Sequence, residues 1–430
     1  MAKAVRREPA ESQNWADVAQ EIGRRARAAG RTLAAASSNT KNDTIAAMAA
    51  GLRNSADAIL KENAADVAAA KTAGLSAAML DRLSLTQDRL KKMAASLDEI
   101  VALRDPVGEI IEGYTRPNGL QIMRLRVPLG VVLAIYESRP NVTSDIAALC
   151  LKSGNAAILR GGKESLRSNL AIHKVLAEAV TSQGLPADAL QMIDNPDRDL
   201  LAALLREDRW IDVVIPRGGE ELIRAVAAQS TIPVIKHYKG VCHVYVDDLG
   251  DLDMAEAICF NAKVQRAATC NAMETMLVHK NVAARFLPRI CRRLAEAGVE
   301  LRGDERTRRL WPQAKAATED DWYAEYLDLV LAIRVVDDLQ QAIDHIAAYS
   351  SNHTDAIISQ DLKHVQQFVR DVDSSSVMIN TSTRFSDGGE YGLGAEVGIS
   401  TDKLHARGPM GVRDLTTYKW VVYGNGQLRT

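Results

Sequence analysis

Residues 261–278 read NAKVQRAATCNAMETMLV, and the thiol of Cys270 is the group in this stretch best suited to covalent chemistry. An apolar series at helical spacing, Leu252, Ala255, Ile258 and Cys259, precedes it, and a strand-like run from Met273 to Val278 follows, which predicts a helix-to-strand connection. A nucleophilic thiol needs a partly open, electropositive setting and a donor for the oxyanion it creates. Arg266 and Asn271, the polar neighbours, have the chemistry for both. The alternative is a buried core cysteine, the commoner fate of a lone cysteine, and the rest of the chain has to decide between the two.

The elements around that connection are those of an ordinary globular protein. The chain has 430 residues, 47% hydrophobic and 25% charged, enough for two or three domains. A net charge of −2 with acids and bases interleaved argues against a nucleic-acid or anionic-membrane partner. No apolar run is long enough to span a bilayer. Five cysteines, Cys150, Cys242, Cys259, Cys270 and Cys291, lack metal-ligand spacing and predict free thiols in a reducing cytoplasm. Cys242 is read as a buried structural cysteine.

Residues 1–14 are charged and read as a disordered tail. From Trp15 to Leu103, Ala, Leu, Lys and Glu recur with helical periodicity, which predicts three or four helices. Val107–Arg126 is rich in β-branched residues around Arg116–Gly119 (RPNG), whose Asn-Gly pair suits a two-residue hairpin turn. From Pro128 to His237, strand candidates Val131–Ile135, Ala156–Leu159, Leu190–Ile193, Ile211–Ile215 and Pro233–His237 alternate with helical stretches. That alternation predicts a parallel, doubly wound sheet with its ligand at the strands' carboxyl ends. A second alternation starts at Val241 and runs through Cys270 to Asn380, so two α/β domains meet near residue 238, where a two-substrate enzyme would place a cleft. The glycine-rich stretch FSDGGEYGLGAEVG follows, and Thr416–Tyr423 closes the chain as a β segment.

Four blocks occur in order: VPLGVVLAIYESRPNVT at 127–143, QRAATCNAMET around Cys270, VDDLQQAIDHIAAYSSNHTDAI at 336–357, and DGGEYGLGAEVGISTDKLHARGPMG at 387–411. In these blocks the sequence resembles the aldehyde dehydrogenase superfamily, and within it the branch that reduces γ-glutamyl phosphate. The resemblance runs from about Ile22 to Tyr423. It departs in RAATC, where many relatives have a proline after the arginine, which concerns only the stiffness of the loop.

The resemblance implies an α/β fold with a modified Rossmann cofactor domain, an α/β catalytic domain and a β oligomerisation element. The expected division is an NADP-binding domain at 15–113 and 129–237 and a catalytic domain at 238–380. The hairpin at 114–128 and the segment 381–430 would serve oligomerisation and cleft loops. The implied reaction is NADPH-dependent reduction of L-glutamyl 5-phosphate to the 5-semialdehyde, in L-proline biosynthesis, through a thioester on Cys270. Its oxyanion would meet the Cys270 backbone N–H and a side chain of the SRPNV loop, Asn141 or Arg139. Hydrolytic relatives carry a general-base glutamate some thirty-odd residues before the nucleophile. Here the matching stretch is IKHYKG, with Lys236 or His237 in that place, and no carboxylate occurs between Leu222 and Val246. Lys236, Lys239 and Arg266 would instead favour a phosphate.

On the cofactor side, Arg160 and Lys163 of RGGKES stand where NAD-preferring relatives present a lysine and a glutamate to the adenosine ribose. Two cations there imply NADP(H). Arg217, Gly218 and Gly219 open a helix suited to a pyrophosphate, and Glu325 falls where relatives hold the nicotinamide ribose. His353, Thr354, Asp355, Asp387 and Glu390 are the candidates for the substrate's α-amino and α-carboxylate groups, and His345 is assigned to fold support. The partners implied are the small-molecule substrate and further copies of the chain in a homo-oligomer. A contact with glutamate 5-kinase, which makes the labile substrate, is left open by sequence. The competing readings are a CoA-acylating or hydrolytic aldehyde dehydrogenase and a catalytically silent scaffold.

Overall fold

A computed structural model describes residues 14–236 and 239–429. Residues 1–13 of the expected N-terminal tail, and His237, lie outside the described residues. Two compact units are present among the described residues, one comprising 14–218, 224–234 and 415–429, the other 219–223, 235–236 and 239–414.

In the first unit the N-terminal region forms five helices rather than three or four: α1 Trp15–Ala34, α2 Ser38–Asn54, α3 Ala56–Thr72, α4 Ala77–Leu83 and α5 Gln87–Ala102. The undercount has a local cause. Breaks such as Ser76 and Thr86 are N-caps, whose hydroxyls accept the backbone N–H of Met79 and Arg89, so each starts a new helix. Strands β1 Ile110–Thr115 and β2 Gln121–Pro128 pair antiparallel, and β2 pairs on its other side with the C-terminal strand Thr416–Tyr423. The expected two-residue turn is longer. Arg116 and Leu120 still pair (Arg116 N to Leu120 O, 2.8 Å), and the loop between them turns on Gly119, whose φ of +87° a side chain would strain.

Strands β3 Val131–Tyr136, β4 Ala156–Gly161, β5 Leu190–Met192 and β6 Val213–Arg217 form a parallel sheet of order β5-β4-β3-β6. Every residue of β3 is buried, as expected for a central parallel strand covered on both faces. Helices α6 Asn141–Lys152, α7 Leu166–Ser182 and α8 Arg198–Leu204 connect the strands, and α9 Glu220–Gln229 follows β6. The fifth strand expected here, Pro233–His237, is absent from the sheet. The run IPVIK makes one isolated bridge, Val214 to Val234, because a single proline-flanked pairing does not build a ladder.

The second unit holds a seven-stranded parallel sheet. Its members are β7 Cys242–Val246, β8 Met273–His279, β9 Glu300–Gly303, β10 Lys315–Ala316, β11 Val330–Val336, β12 Thr354–Ile358 and β13 Ser376–Ile379. They run in the order β10-β9-β11-β8-β7-β12-β13, so β8 and β7 lie adjacent near the middle. Helices α10 Leu252–Val264 and α11 Lys280–Glu296 cover one face with Ala255, Cys259, Phe286, Ile290 and Leu294. Residues 381–414 belong to this unit and 415–429 to the first, where Thr416–Tyr423 extends the hairpin's sheet.

Candidate active site

Cys270 sits where its local sequence places it. Asp251 caps α10 by accepting the N–H groups of Asp253 and Met254, and Ala255, Cys259 and Ala262 form the buried stripe. The loop after α10 tightens as the Thr269 hydroxyl donates to the Arg266 carbonyl (2.8 Å) and Ala272 N–H to the Thr269 carbonyl (3.0 Å). The chain then enters β8, buried at all seven positions. Among the five free cysteines Cys270 alone is partly exposed. Burial pushes the thiols of Cys150 and Cys291 up to about 12 and those of Cys242 and Cys259 upward as well, so none of these four offers a thiolate near neutral pH.

The position of the thiol also depends on a neighbour distant in sequence. Since β7 and β8 are adjacent parallel strands, the residues entering them run side by side. A Cβ on Gly240 would lie 1.9 Å from the Cys270 carbonyl oxygen and 2.7 Å from its Cα. The Cys242 thiol donates to the same carbonyl at 3.2 Å, and Gly240 N–H donates to Glu325 Oε1 at 2.9 Å. Beneath this contact Lys263 and Glu274, both fully buried, pair at 2.5 Å, and Glu274 also accepts the N–H of Leu327 at 3.1 Å. Burial pushes the Glu274 carboxyl up to about 7, opposed by the Lys263 ammonium. The pair thereby ties the loop bearing Glu325 to the base of the cysteine loop. Removing either partner would leave a buried charge alone, at a cost of about 3–5 kcal/mol.

Several expected site residues have other contacts. Asn271 is buried, and its amide donates to the carbonyls of Ser386 (2.9 Å) and Arg384 (3.4 Å), so it anchors the segment before the glycine-rich stretch. His353, Thr354 and Asp355 are fully buried at the start of β12. Asp355 accepts the backbone and ring N–H of His243 on Oδ1 and the hydroxyls of Ser350 and Ser374 on Oδ2, which uses its acceptor capacity inside the fold. His353 Nδ1 lies 2.9 Å from Thr354 Oγ1. These contacts make the three residues part of the packing at the start of β12. His345 is buried as well, against the rings of His243, Trp322 and Tyr349.

The cations sort into two kinds. Lys236 pairs with Asp402 at 3.4 Å and Lys239 with Glu220 at 3.4 Å, so both are neutralised locally. Arg266 is exposed, and Arg384, which the sequence reading passed over, is half-buried with its Nε donating to Gln265 Oε1 at 2.8 Å. Asp387 accepts Gly389 N–H at 2.9 Å, and Glu390 is exposed.

In the first unit the loop after β3 is held under strain. Ser138 has φ +36°, a conformation costing about 1–3 kcal/mol, and Glu164 Oε1 accepts both its N–H (2.8 Å) and its hydroxyl (2.7 Å). Asn141 is exposed at the start of α6 and donates to Asp145 Oδ2 at 3.0 Å; desolvation pushes that carboxyl up to about 6. Arg139 is half-buried in the same loop. Arg160 donates to the Pro196 carbonyl at 3.1 Å, Lys163 is exposed, and Arg217 ends β6, where its carbonyl accepts Glu137 N–H at 3.1 Å and Gly218 and Gly219 lead into α9. Gly161 and Gly162 follow in a cradle that a Cβ would fill, 2.0 Å from Asn169 Nδ2 at one and 2.2 Å from Glu164 Oε1 at the other. A parallel sheet whose strands end in such close-packed glycine and cation-bearing loops fits a dinucleotide.

This pairing of a parallel dinucleotide-type sheet with a loop-borne cysteine matches a known class. The aldehyde dehydrogenase family model covers residues 2–321, and the chain belongs to that family. Within it, the chain is 55% identical to the γ-glutamyl phosphate reductase of Geotalea daltonii, over 96% of this chain and 99% of that protein. The crystal structure of γ-glutamyl phosphate reductase from Thermotoga maritima superposes with a TM-score of 0.93 at 43% identity, covering 96% of this chain and all of that one. An acetylating aldehyde dehydrogenase from Geobacillus thermoglucosidasius shares the fold, with a TM-score of 0.68 at 15% identity over 97% of this chain and 98% of that one. Family membership brings a nicotinamide cofactor. No described helix is long and apolar enough to cross a membrane.

Proposed function

We propose that this protein is an acyl-phosphate reductase that converts L-glutamyl 5-phosphate to L-glutamate 5-semialdehyde and phosphate, with NADPH as the reductant. The observation that carries the reading is the partly exposed Cys270 thiol, with the Arg384 guanidinium interacting with it, on a chain 55% identical over nearly its whole length to a γ-glutamyl phosphate reductase. The thiolate attacks the acyl carbon, a C–S bond forms, and the C–O bond to phosphate breaks with its electron pair leaving on phosphate. Phosphate is a good leaving group, so this departure needs no general acid. The backbone N–H of Cys270 is the proposed donor to the oxyanion formed on the way. When bound, the reduced nicotinamide supplies the hydride that takes the thioester to the aldehyde level, and the thiolate is then released. Lys236, in the stretch where hydrolytic relatives keep a glutamate, is paired with Asp402 and cannot activate water.

The reading is tested in the reverse direction, with semialdehyde and NADP. Steady formation of the reduced nicotinamide should require inorganic phosphate or arsenate. An equal rate without either, or a rate restored by CoA alone, would overturn it in favour of a hydrolytic or CoA-acylating enzyme.

The preference for NADP rests on Lys163, exposed at the end of β4, and on the engagement of its neighbour Glu164 with Ser138, which leaves a cation as the charge on offer to a 2′-phosphate. Exchanging Lys163 for Glu should lower NADPH use relative to NADH by about ten-fold or more, read as the ratio of kcat/KM values. An unchanged ratio would remove Lys163 from the cofactor site.

A homo-oligomer is also proposed. The C-terminal strand is an edge of its three-stranded sheet and exposes Trp420, Val422 and Tyr423 by about half or more each (50%, 54% and 56%), a combination that invites pairing with another copy.

A further inference from the structure

Two guanidinium groups stand beside the Cys270 loop without a carboxylate bound to either. Arg384 is tied to that loop from both sides: its Nε donates to Gln265, the residue before Arg266, and its carbonyl accepts from Asn271, the residue after Cys270. Its own N–H donates to Ser382 Oγ at 3.3 Å, so the 3-10 turn Thr383–Phe385 that carries it is fixed as well. Among the described residues neither Arg384 nor Arg266 is in an ion pair, whereas Lys236 and Lys239 both are. Burial and the Arg266 charge both act against the Arg384 guanidinium, with Asp387 and the Cys270 thiol as its opposing partners. Holding one half-buried cation against a second is unfavourable unless an anion joins them.

We infer that Arg384, together with Arg266, forms the subsite for the phosphoryl group of the acyl phosphate, and for inorganic phosphate in the reverse direction. This rests on the function proposed above. The phosphoryl group is bonded through oxygen to the carbon that the thiol attacks, so it must lie beside Cys270. The substrate's α-carboxylate is four carbon–carbon bonds further away and falls elsewhere. Arg384 meets Gln265 through Nε, and a planar guanidinium fork suits two phosphate oxygens at once. In the reverse reaction the same pair would hold phosphate while one of its oxygens attacks the thioester carbon. A C–O bond then forms, the C–S bond breaks, and the thiolate leaves with the electron pair.

The test compares wild type with Arg384→Gln and Arg384→Lys in the reverse reaction, with inorganic phosphate varied. Arg384→Gln should raise the KM for phosphate about ten-fold or more, while the KM for semialdehyde and the single-turnover burst without phosphate stay within about two-fold. Arg384→Lys, which keeps the charge and loses the fork, should fall between the two. A second readout uses the enzyme free of cofactor: inorganic phosphate should slow iodoacetamide alkylation of Cys270 in wild type and lose that effect in Arg384→Gln. An unchanged phosphate KM with unchanged protection would overturn the inference, and so would a rise in the KM for semialdehyde instead, since that would place the α-carboxylate at Arg384. Loss of the burst together with the phosphate response in both variants would also overturn it, by making Arg384 a support of the cysteine loop. Absence of any phosphate dependence in wild type would instead sink the function itself.

Discussion

Cys270→Ala is expected to lower turnover by about ten-thousand-fold or more while leaving nicotinamide binding within about two-fold. In the proposed mechanism covalent capture is the first chemical step, and no other described thiol can replace it, which is why the expected loss is this large. Cys242, the cysteine nearest in the fold, is fully buried, with its thiol pushed up by burial and directed at the Cys270 carbonyl. The change removes one partly exposed sulfur, so the thermal midpoint should move little. The measurements are kcat with saturating substrate and a fluorescence titration with NADPH. More than about one per cent residual turnover would disqualify Cys270 as the nucleophile.

A change that adds one methyl group, Gly240→Ala, should have the next largest effect. The new Cβ would overlap the Cys270 carbonyl oxygen at 1.9 Å and its carbonyl carbon at 2.6 Å, and these are backbone atoms that no rotamer change can move aside. Relief requires the cysteine loop or the entry to β7 to shift by on the order of an ångström, a displacement that costs reaction geometries about a hundred-fold in rate. The Glu325 contact would move with it, because Gly240 N–H is its donor. We expect kcat to fall about a hundred-fold, together with a slower alkylation of Cys270 by iodoacetamide. A wild-type kcat would show that the close approach does not position the thiol.

How much of this was legible in the sequence differs from residue to residue. The helix over 252–264, the strand after Cys270 and the alternation from Val131 to Arg217 were readable because each is written in side-chain periodicity within a few residues. Cys270 was readable for the same reason, since its helix-to-strand connection is local. Gly240 and Arg384 left no such mark. Gly240 is one glycine in an irregular segment, and Arg384 meets Asn271 across 113 residues of chain, a contact that exists only once the segment after β13 folds back on the cysteine loop. His353, Thr354 and Asp355 show burial that their polarity did not announce. The start of a buried strand needs acceptors and donors of its own, and the serines and histidine that satisfy Asp355 come from three other segments.

By itself, then, the amino-acid order determined the family, the two parallel-sheet units and the place of Cys270 in a helix-to-strand connection, all of which follow from local periodicity and contiguous motifs. Tertiary structure alone decided which charges are left over. Lys236, Lys239 and Arg266 look alike in the sequence, yet carboxylates at Asp402 and Glu220 reach the two lysines, while Arg266 is left beside Arg384. The physical reason is that a charge is neutralised or exposed by whatever the folded chain brings within a few ångströms of it, and that distance is independent of sequence separation.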